Sequence, residues 1–278
     1  MIRVGISGWT YPPWRGSFFP PGLPHNKELE FASKQFATIE INGTFYGLQR
    51  PSSYQRWYEA PPGNFRFSVK ASRYITHILR LREIEIPLAN FFASGPLCLR
   101  EKLGPVLWQF PPSLKFDPER FEKFLRLLPK DFNEARDLAW NHDPRLNQLS
   151  GDEFDGPIRH AIEIRNPSFC TPDFTSLLRK HNAALVVSDS GGKWPHLEEI
   201  TADFTYVRLH GVGRVYVSGY GNSALELWAR KIRKWSTSGH QSRDVFVFFD
   251  NDVKVRAPFD ALKLAQKLRA APATKRAA

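Results

Sequence analysis

Two charged side chains interrupt an aliphatic strand pattern in the segment HAIEIRNPSF, residues 160–169. Side chains of a strand alternate between its two faces, so Glu163 and Arg165 share one face and Ile162 and Ile164 share the other. Removing an unpaired ion from water costs several kcal/mol, and the two charges therefore need partners or a ligand. We interpret them as the floor of a polar pocket, with a self-contained salt-bridge network as the alternative.

Polar side chains also stand at or near the ends of the other strand-like segments. Across the chain they are Glu40, Asn42, Lys70, Gln109, Glu163, Arg165, Asp189, Arg208, His210, Asp250 and Asn251. A purely structural barrel core prefers branched apolar residues at such positions. The recurrence of polar residues therefore predicts that they converge on one functional site.

Glu40 and Glu163 are the first candidates for acid–base catalysis. A wide gap between two carboxylates suits hydrolysis with inversion, in which one carboxyl acts as the acid and the other activates water. Lys70, Arg165 and Arg208 would lower both carboxyl pKa values, which disfavours an acid that stays protonated at neutral pH. Ion pairing is therefore the competing role for at least one of the two glutamates.

Two histidines are further catalytic candidates. His210 lies near the end of the seventh predicted strand, and His77 follows the third strand within YITH. Imidazole titrates near neutral pH, which suits a general acid or base. For His77 the competing role is a structural hydrogen bond within its loop. The nucleophile motif G-x-S-x-G is absent from the sequence, so a serine hydrolase of that type is not indicated.

A metal site is a second interpretation of the same positions. Glu163, Asp189, His210 and Asp250 end strands five to eight, and a carboxylate-rich set with one imidazole suits Mg²⁺ or Mn²⁺ better than Zn²⁺. The interleaved Arg165 and Arg208 weaken this interpretation, because they would repel a dication and could neutralise the carboxylates themselves.

An anion site is the third interpretation. Lys70, Arg165, Arg208 and His210 offer guanidinium forks, an ammonium and an imidazole, which are suited to holding phosphate or carboxylate groups. The expected substrate-binding residues are Trp9, Asn42, Tyr46, Lys70, Gln109, Arg165, Arg208 and Asn251. The amides would orient the substrate, and the aromatic rings could stack a base or a sugar. Ordinary loop packing explains the aromatic residues equally well.

The surrounding pattern indicates how these residues are positioned. Strand-like runs alternate with helical patterns, and we predict strands at residues 3–7, 38–42, 65–70, 105–110, 160–165, 184–189, 205–211 and 245–250. Strands joined by helical crossovers run parallel, and about 250 residues is the typical length of a (β/α)8 barrel. We therefore predict an α/β fold with a single TIM-type barrel. An open doubly wound sheet is the alternative, although the first strand lacks its G-x-G-x-x-G turn.

Three features of the predicted elements are less regular. We expect one long helix over residues 85–103, an extra helix within 130–144, and a short helix near 194–199. Strand alternation places the polar positions inside the barrel near its C-terminal mouth, where active sites of this fold lie. In the sixth strand it predicts Val186 outside and Val187 and Asp189 inside.

Composition limits the classes of protein. With 278 residues, of which 42% are hydrophobic, the chain can bury one large core, and we expect a single domain over residues 1–270 followed by a basic tail, 271–278. The sequence has no apolar run of about 18 residues and no signal-peptide pattern, so we expect a cytoplasmic protein without a membrane partner. The two cysteines have no metal-ligand spacing.

The formal net charge is +11, which favours anionic partners such as nucleic acid or phosphorylated metabolites. Much of this charge is spread through helical segments, so a solvated basic surface is the simpler interpretation.

Several motifs together resemble one known family. The segments SGWTYPPWRGSFFP, EINGTFYGLQRPSSYQRW, FRFSVKASRYITH, LGPVLWQFPPSLKFD, AIEIRNPSF, YVRLHG and FFDND are similar, in that order, to the YecE-like family called domain of unknown function 72. The resemblance implies a TIM-type barrel and no particular reaction. It shows one departure, because members usually end the last strand in Phe-Asn-Asn, whereas this chain has Asp250 at the first Asn. The extra anion should change the local charge balance and could add a cation ligand.

Two hypotheses of different classes follow. The first is an enzyme, a hydrolase or metal-assisted phosphodiesterase, that acts on an anionic substrate such as a phosphate-bearing or nucleotide-like compound at the barrel mouth. The second is a nucleic-acid-binding or adaptor protein that uses its basic surface.

Overall fold

A computed structural model describes residues 1–146, 154–237 and 242–270. Within these residues, parallel strands form a closed barrel in which each strand pairs with the next and the last with the first. The predicted TIM-type barrel is therefore confirmed, and the open sheet is excluded. The strands are β1 Ile2–Ser7, β2 Thr38–Ile41, β3 Arg66–Lys70, β4 Leu103–Gln109, β5 His160–Glu163, β6 Ala184–Asp189, β7 Phe204–Leu209 and β8 Asp244–Phe249.

Helices connect the strands because parallel neighbours need a crossover. They are α1 Glu28–Gln35, α2 Gly43–Tyr46, α3 Pro51–Glu59, α4 Glu85–Ala93, α5 Pro118–Leu127, α6 Phe132–Trp140, α7 Pro172–Lys180, α8 Asn222–Thr237 and α9 Arg256–Arg269. Proline at the first turn and an Asp or Thr cap begin the most regular of them, as with Asp117 before α5 and Thr171 before α7. α6 is the extra helix predicted within residues 130–144.

The core has two layers, as strand alternation requires. Outward side chains such as Ile39, Phe67 and Ile162 pack against the helices in the larger cluster. A smaller cluster fills the lumen and consists of Leu107, Ala161, Ala184, Val186, Phe204, Tyr206, Phe246 and Phe248. The apolar filling lies below the strand ends, which leaves the top of the lumen to polar side chains.

The predicted long helix over residues 85–103 is wrong. The structure breaks it after α4 at Gly95, whose φ is 125°, and continues with a 3-10 segment, Pro96–Lys102, before β4 begins. A Cβ at Gly95 would lie 2.8 Å from Cα of Pro51, so glycine allows the chain to pass close to α3. Local hydrophobic periodicity does not report this tertiary contact.

Two predictions about β6 and the segment that follows it are also wrong. Residues 194–199 form no helix. In β6 the two faces are reversed: Val186 lies in the lumen cluster, and Val187 lies in the outer cluster. Both faces of ALVVSD are aliphatic at their centre, so alternation alone could not distinguish them.

No helix within the described ranges is long and apolar enough to cross a membrane. The predicted basic tail, 271–278, lies outside the described residues.

Candidate active site at the barrel mouth

Arg208 occupies the centre of the barrel mouth and contacts three carboxylates. From β7 its Nε and Nη2 donate to Glu40 at 3.0 and 2.7 Å, its Nη1 donates to Glu163 at 2.6 Å, and its Nη2 also donates to Asp250 at 2.8 Å. The side chains of Arg208, Glu40 and Glu163 have no exposed surface. Glu163 therefore belongs to a buried ion network that spans the lumen.

Tyr206 closes this network from below. It lies two residues before Arg208 on the same inward face of β7, and its hydroxyl donates to Glu40 at 2.7 Å. The same hydroxyl lies 2.7 Å from the Ser68 hydroxyl, which donates to the carbonyl of Pro105. Glu40 thus accepts three hydrogen bonds from two residues, and its carboxylate has a fixed orientation.

Arg165 extends the network toward the rim. Its Nε donates to Glu163 at 2.9 Å, and its Nη2 donates to Gln109 at 2.9 Å. The guanidinium carbon lies 3.7 Å from the ring centroid of Trp194, so the cation lies over the face of the indole. Arg165 follows the end of β5, and these contacts hold it over the mouth.

Two of the central carboxylates, those of Glu163 and Asp250, are kept ionised by arginine. Burial alone would raise the pKa of Glu163, but Arg208 and Arg165 outweigh burial and hold that pKa well below its usual range. At Asp250, burial raises the carboxyl pKa and the positive charge of Arg208 lowers it. The net result is a lowered pKa of about 2. Glu163 is therefore ionised at neutral pH and does not serve as the protonated acid of an inverting pair with Glu40.

His210 is fully buried beside the network. Its Nδ1 lies 3.1 Å from the Asp250 carboxylate and its Nε2 lies 3.9 Å from Glu163. Neither ring nitrogen makes a well-aligned hydrogen bond within the described part of the chain. The rings of Trp194 and Tyr216 pack edge-on against the imidazole. Burial lowers the pKa of His210, so the neutral ring dominates at neutral pH.

Lys70 is a cation of the site that has no carboxylate partner among the described residues. It ends β3, its exposed fraction is 8%, and its Nζ lies 4.2 Å from the ring centroid of Phe45. Within the residues that the structure describes, its ammonium makes no hydrogen bond and no ion pair. Burial, followed by the positive charge of Arg208, lowers the pKa of Lys70 to about 8.

His77 lies in a π-helical turn, Tyr74–Ile78, directly after β3. Such turns are rare and are frequent at functional sites. Its Nδ1 lies 2.8 Å from the Thr76 hydroxyl, and its Nε2 lies 3.5 Å from the Gln109 amide nitrogen. Burial, with the charges of Lys70 and Arg165, lowers the pKa of His77 to about 4. His77 is thus a neutral member of the mouth on the same side as Lys70.

The other predicted substrate-binding residues are placed differently. Asn42 is partly buried directly after β2, and its Oδ1 has no hydrogen-bond partner within the described ranges. Trp9 packs edge-on against Trp57, and Tyr46 is 73% exposed on the rim. Asn251 points away from the network, because its amide donates to Asp260 and to the Ser218 carbonyl. The Asn251 amide nitrogen therefore joins α9 to the loop after β7, and its Oδ1 has no hydrogen-bond partner within the described ranges.

The expected Mg²⁺ or Mn²⁺ site is not assembled. Asp189 shares the outward face of β6 and accepts a hydrogen bond from Tyr220 at 3.2 Å, and Glu163 and Asp250 are directed at Arg208. In residues 1–146, 154–237 and 242–270, no three suitable side chains are arranged to hold a metal ion. The donor set Glu163, Asp189, His210 and Asp250 therefore does not fit a dication. Asp250, the departure from the usual Asn, instead adds a third carboxylate to Arg208.

Asp252 is a titratable residue of the mouth that sequence reasoning missed. It follows Asp250 by two residues, and burial together with the Asp250 charge raises its pKa to about 6. The charges of Asp250 and Asp252 also raise the pKa of Tyr11 after burial, which places all three groups in one neighbourhood. The two aspartates of FFDND could have indicated this from the sequence, because two nearby carboxylates repel each other and the pKa of one of them rises.

Comparisons with known proteins agree with this architecture. Residues 3–278 match the family described as "Protein of unknown function DUF72". The chain is 30% identical over 266 residues to the UPF0759 protein YecE of Escherichia coli (strain K12), covering 93% of this chain and 89% of that protein. It is 26% identical over 284 residues to the UPF0759 protein YunF of Bacillus subtilis (strain 168), covering 91% and 89%.

Two solved structures share the fold. A DUF72 family protein from Thermotoga maritima MSB8 superposes with a TM-score of 0.76 at 24% identity, covering 97% of this chain and all of the other. A DUF72 family protein from Enterococcus faecalis V583 gives a TM-score of 0.72 at 19% identity, covering 98% and 97%. At these identities the likeness establishes the fold alone.

Proposed function

We propose that this chain, which belongs to the family described as protein of unknown function DUF72, is an enzyme of hydrolase type that binds a small, phosphate-bearing anion at its barrel mouth. The observation that carries the proposal is the Lys70 ammonium, which is buried without a carboxylate partner in the described chain. An isolated buried charge is costly, and an anionic ligand would relieve that cost.

Lys70 rather than Arg208 is the expected anchor for the anion. Nε and both terminal nitrogens of Arg208 already donate to carboxylates, so its guanidinium has no fork to offer a ligand. Arg165 is engaged through Nε and Nη2, and its Nη1 makes no hydrogen bond to the described residues. Lys70 and Arg165 both lower the pKa of His77, which supports one shared cationic sector.

In the proposed reaction, Glu163 and Asp250 have a structural role and Asp252 has a catalytic role. Glu163 and Asp250 stay ionised and fix Arg208, so they hold the floor of the site in place. Asp252, with a pKa of about 6, is the carboxyl suited to exchanging a proton with water near neutral pH. Hydrolysis of a phosphate ester needs such a base together with a cation that offsets the charge of the phosphate.

The test measures binding and turnover of simple phosphate esters. We expect inorganic phosphate to bind to the wild-type chain at the mouth, and p-nitrophenyl phosphate or bis-p-nitrophenyl phosphate to be hydrolysed. Lys70→Met should abolish both, because it removes the unpaired ammonium and keeps the apolar stem. Lys263→Met, which removes an exposed lysine of α9, is the matched control.

Two results would count against the proposal. Phosphate binding and turnover that are the same in Lys70→Met as in the control would remove Lys70 from the function. Binding of nucleic acid that weakens steeply with salt and is insensitive to Lys70→Met would favour the alternative class, in which the basic surface is the binding surface.

A further inference from the structure

A second cationic cavity lies at the opposite, N-terminal end of the barrel. It encloses about 310 Å³, and the starts of several strands line it: Arg3 on β1, Arg66 on β3, Arg159 before β5 and Asp244 on β8. Its volume is at the small end of the range for ligand pockets, about 300 to 1,000 Å³. We refer to it as the arginine cavity. It shares no lining residue with the site at the mouth.

Among the described residues, arginines outnumber carboxylates in the lining of the arginine cavity. The described lining contains four arginines, which are Arg3, Arg66, Arg100 and Arg159. It contains three carboxylates, which are those of Asp244, Glu101 and Asp155. Glu101 accepts a hydrogen bond from Tyr58, and Asp155 pairs with Arg136. Asp155 is therefore engaged by a cation outside the lining, whereas the neutral Tyr58 hydroxyl leaves the charge of Glu101 in place.

Asp244 alone is shared by three cations. Its carboxylate lies 2.7 Å from Arg159 Nη1, 2.9 Å from the amino group of Met1 and 3.5 Å from Arg3 Nη1. One negative charge cannot neutralise three positive charges, and among the described residues the lining of the arginine cavity has four arginines against three carboxylates. A bound anion would complete the balance.

Arg3 provides the most direct indication of a ligand. It is 7% exposed, and its Nε has no hydrogen-bond partner among the described residues. Burial, together with the charges of Arg66 and Arg159, lowers the pKa of Arg3, which reflects how poorly its charge is compensated. An unsatisfied buried guanidinium nitrogen costs free energy unless an acceptor reaches it.

The lining also contains apolar surface. Phe132, Phe154 and Phe246 lie around the arginines, and the Arg3 guanidinium carbon lies 5.5 Å from the Phe246 ring centroid. Guanidinium forks match the geometry of phosphate oxygens, and phenyl rings can hold a small organic group beside them. We propose that the arginine cavity binds a small phosphomonoester, with Arg3, Arg66 and Arg159 on its phosphate group.

The position of the cavity indicates what such binding would do. Catalysis in this fold is carried out at the C-terminal mouth, and the N-terminal face serves stability. A ligand that binds only the folded chain raises its stability by mass action. The arginine cavity is therefore an accessory site that couples the concentration of a phosphomonoester to the stability of the barrel.

The test separates this cavity from the mouth. It uses the full chain carrying Lys70→Met, which removes the proposed phosphate anchor at the mouth, and titrates phenyl phosphate at an ionic strength held constant with sodium chloride. We expect saturable binding by calorimetry and an increase of a few degrees in the midpoint of thermal unfolding. Adding Arg66→Gln should weaken binding about tenfold or more, the size of one lost charge-assisted contact.

The matched control is Arg230→Gln, which removes an exposed positive charge from α8. It should leave the dissociation constant unchanged. If Arg66→Gln fails to fold, Arg159→Gln takes its place, and a crystal grown with phenyl phosphate gives an independent readout. Density beside Arg3 supports the proposal. No saturable binding in Lys70→Met, an unchanged dissociation constant in both cavity variants, or density at the mouth alone overturns it.

Discussion

The ammonium of Lys70 lies over the ring of Phe45, with its nitrogen 4.2 Å from the ring centroid. A cation over an aromatic face gains at most a few kcal/mol, which is less than the cost of burying an unpaired charge. Lys70 therefore destabilises the ligand-free fold while it is protonated. This cost is the physical basis of the proposed anion site, and it leads to the first prediction.

Lys70→Met should stabilise the ligand-free protein at pH 7 by roughly 1 to 3 kcal/mol, because it removes the buried ammonium and keeps the packing against Phe45. The folded pKa is lowered from 10.5 to about 8. The destabilisation is fully present below pH 8 and disappears as pH rises to 10.5, so the gain should shrink over that interval. Urea unfolding at pH 7 and at pH 10 measures it. A loss of stability at pH 7 would contradict the assignment of Lys70 as an unpaired cation.

Arg208→Met should destabilise the protein by about 3 to 5 kcal/mol at pH 7, because it leaves buried carboxylates without their cation. Glu40, Glu163 and Asp250 would then repel one another in the lumen. The comparison is Arg126→Met, which breaks an exposed pair with Glu122 and should cost less than about 1 kcal/mol. Chemical unfolding followed by circular dichroism measures both. Equal costs in the two variants would show that the network is not a stabilising unit.

Asp252→Asn should stabilise the protein above pH 6 by about 1 to 2 kcal/mol, a figure that allows for solvent screening at this half-buried site. The folded pKa is raised from 3.8 to about 6, so the wild-type chain loses stability as pH rises between these values. The advantage of the amide should therefore vanish near pH 4. Unfolding free energies at pH 4, 5, 6 and 7 give the curve, and a flat difference between the two proteins over that range would refute the raised pKa.

His160 should contribute to acid unfolding. The Trp108 indole donates to its Nδ1 at 3.0 Å, so its Nε2 carries the proton that it donates to the Pro129 carbonyl at 2.7 Å. Burial lowers its pKa from 6.5 to about 4, and protonation is thus resisted in the folded state. Stability should fall as pH drops from 6.5 toward 4, and His160→Gln should reduce that slope.

The measurement for His160 is the unfolding free energy between pH 7 and 4.5. His25→Gln, which replaces an exposed histidine, is the control and should leave the slope unchanged. The slope that remains in His160→Gln is expected from His77 and His210, whose pKa values burial also lowers. An identical slope in the wild type and in His160→Gln would contradict the prediction.

The amino-acid sequence alone determined the architecture and indicated that polar groups gather at the strand ends. Strand and helix patterns alternate along the chain, and such patterns depend on local periodicity, which a sequence reports directly. Within single strands the same periodicity separated Ile162 from Glu163 and Val207 from Arg208. It failed in β6, where Val186 and Val187 are chemically equivalent, and so it assigned Asp189 to the wrong face.

Only the tertiary structure decided which charges are paired. Arg208 meets Glu40, 168 residues away in the chain, and that contact depends on the diameter and register of the closed barrel. The same geometry leaves Lys70 without a carboxylate in the described chain, directs Asn251 toward Asp260, and buries Asp252 near Asp250. Pairing and pKa depend on distances of a few ångströms and on burial, and these quantities exist only after the strands have closed.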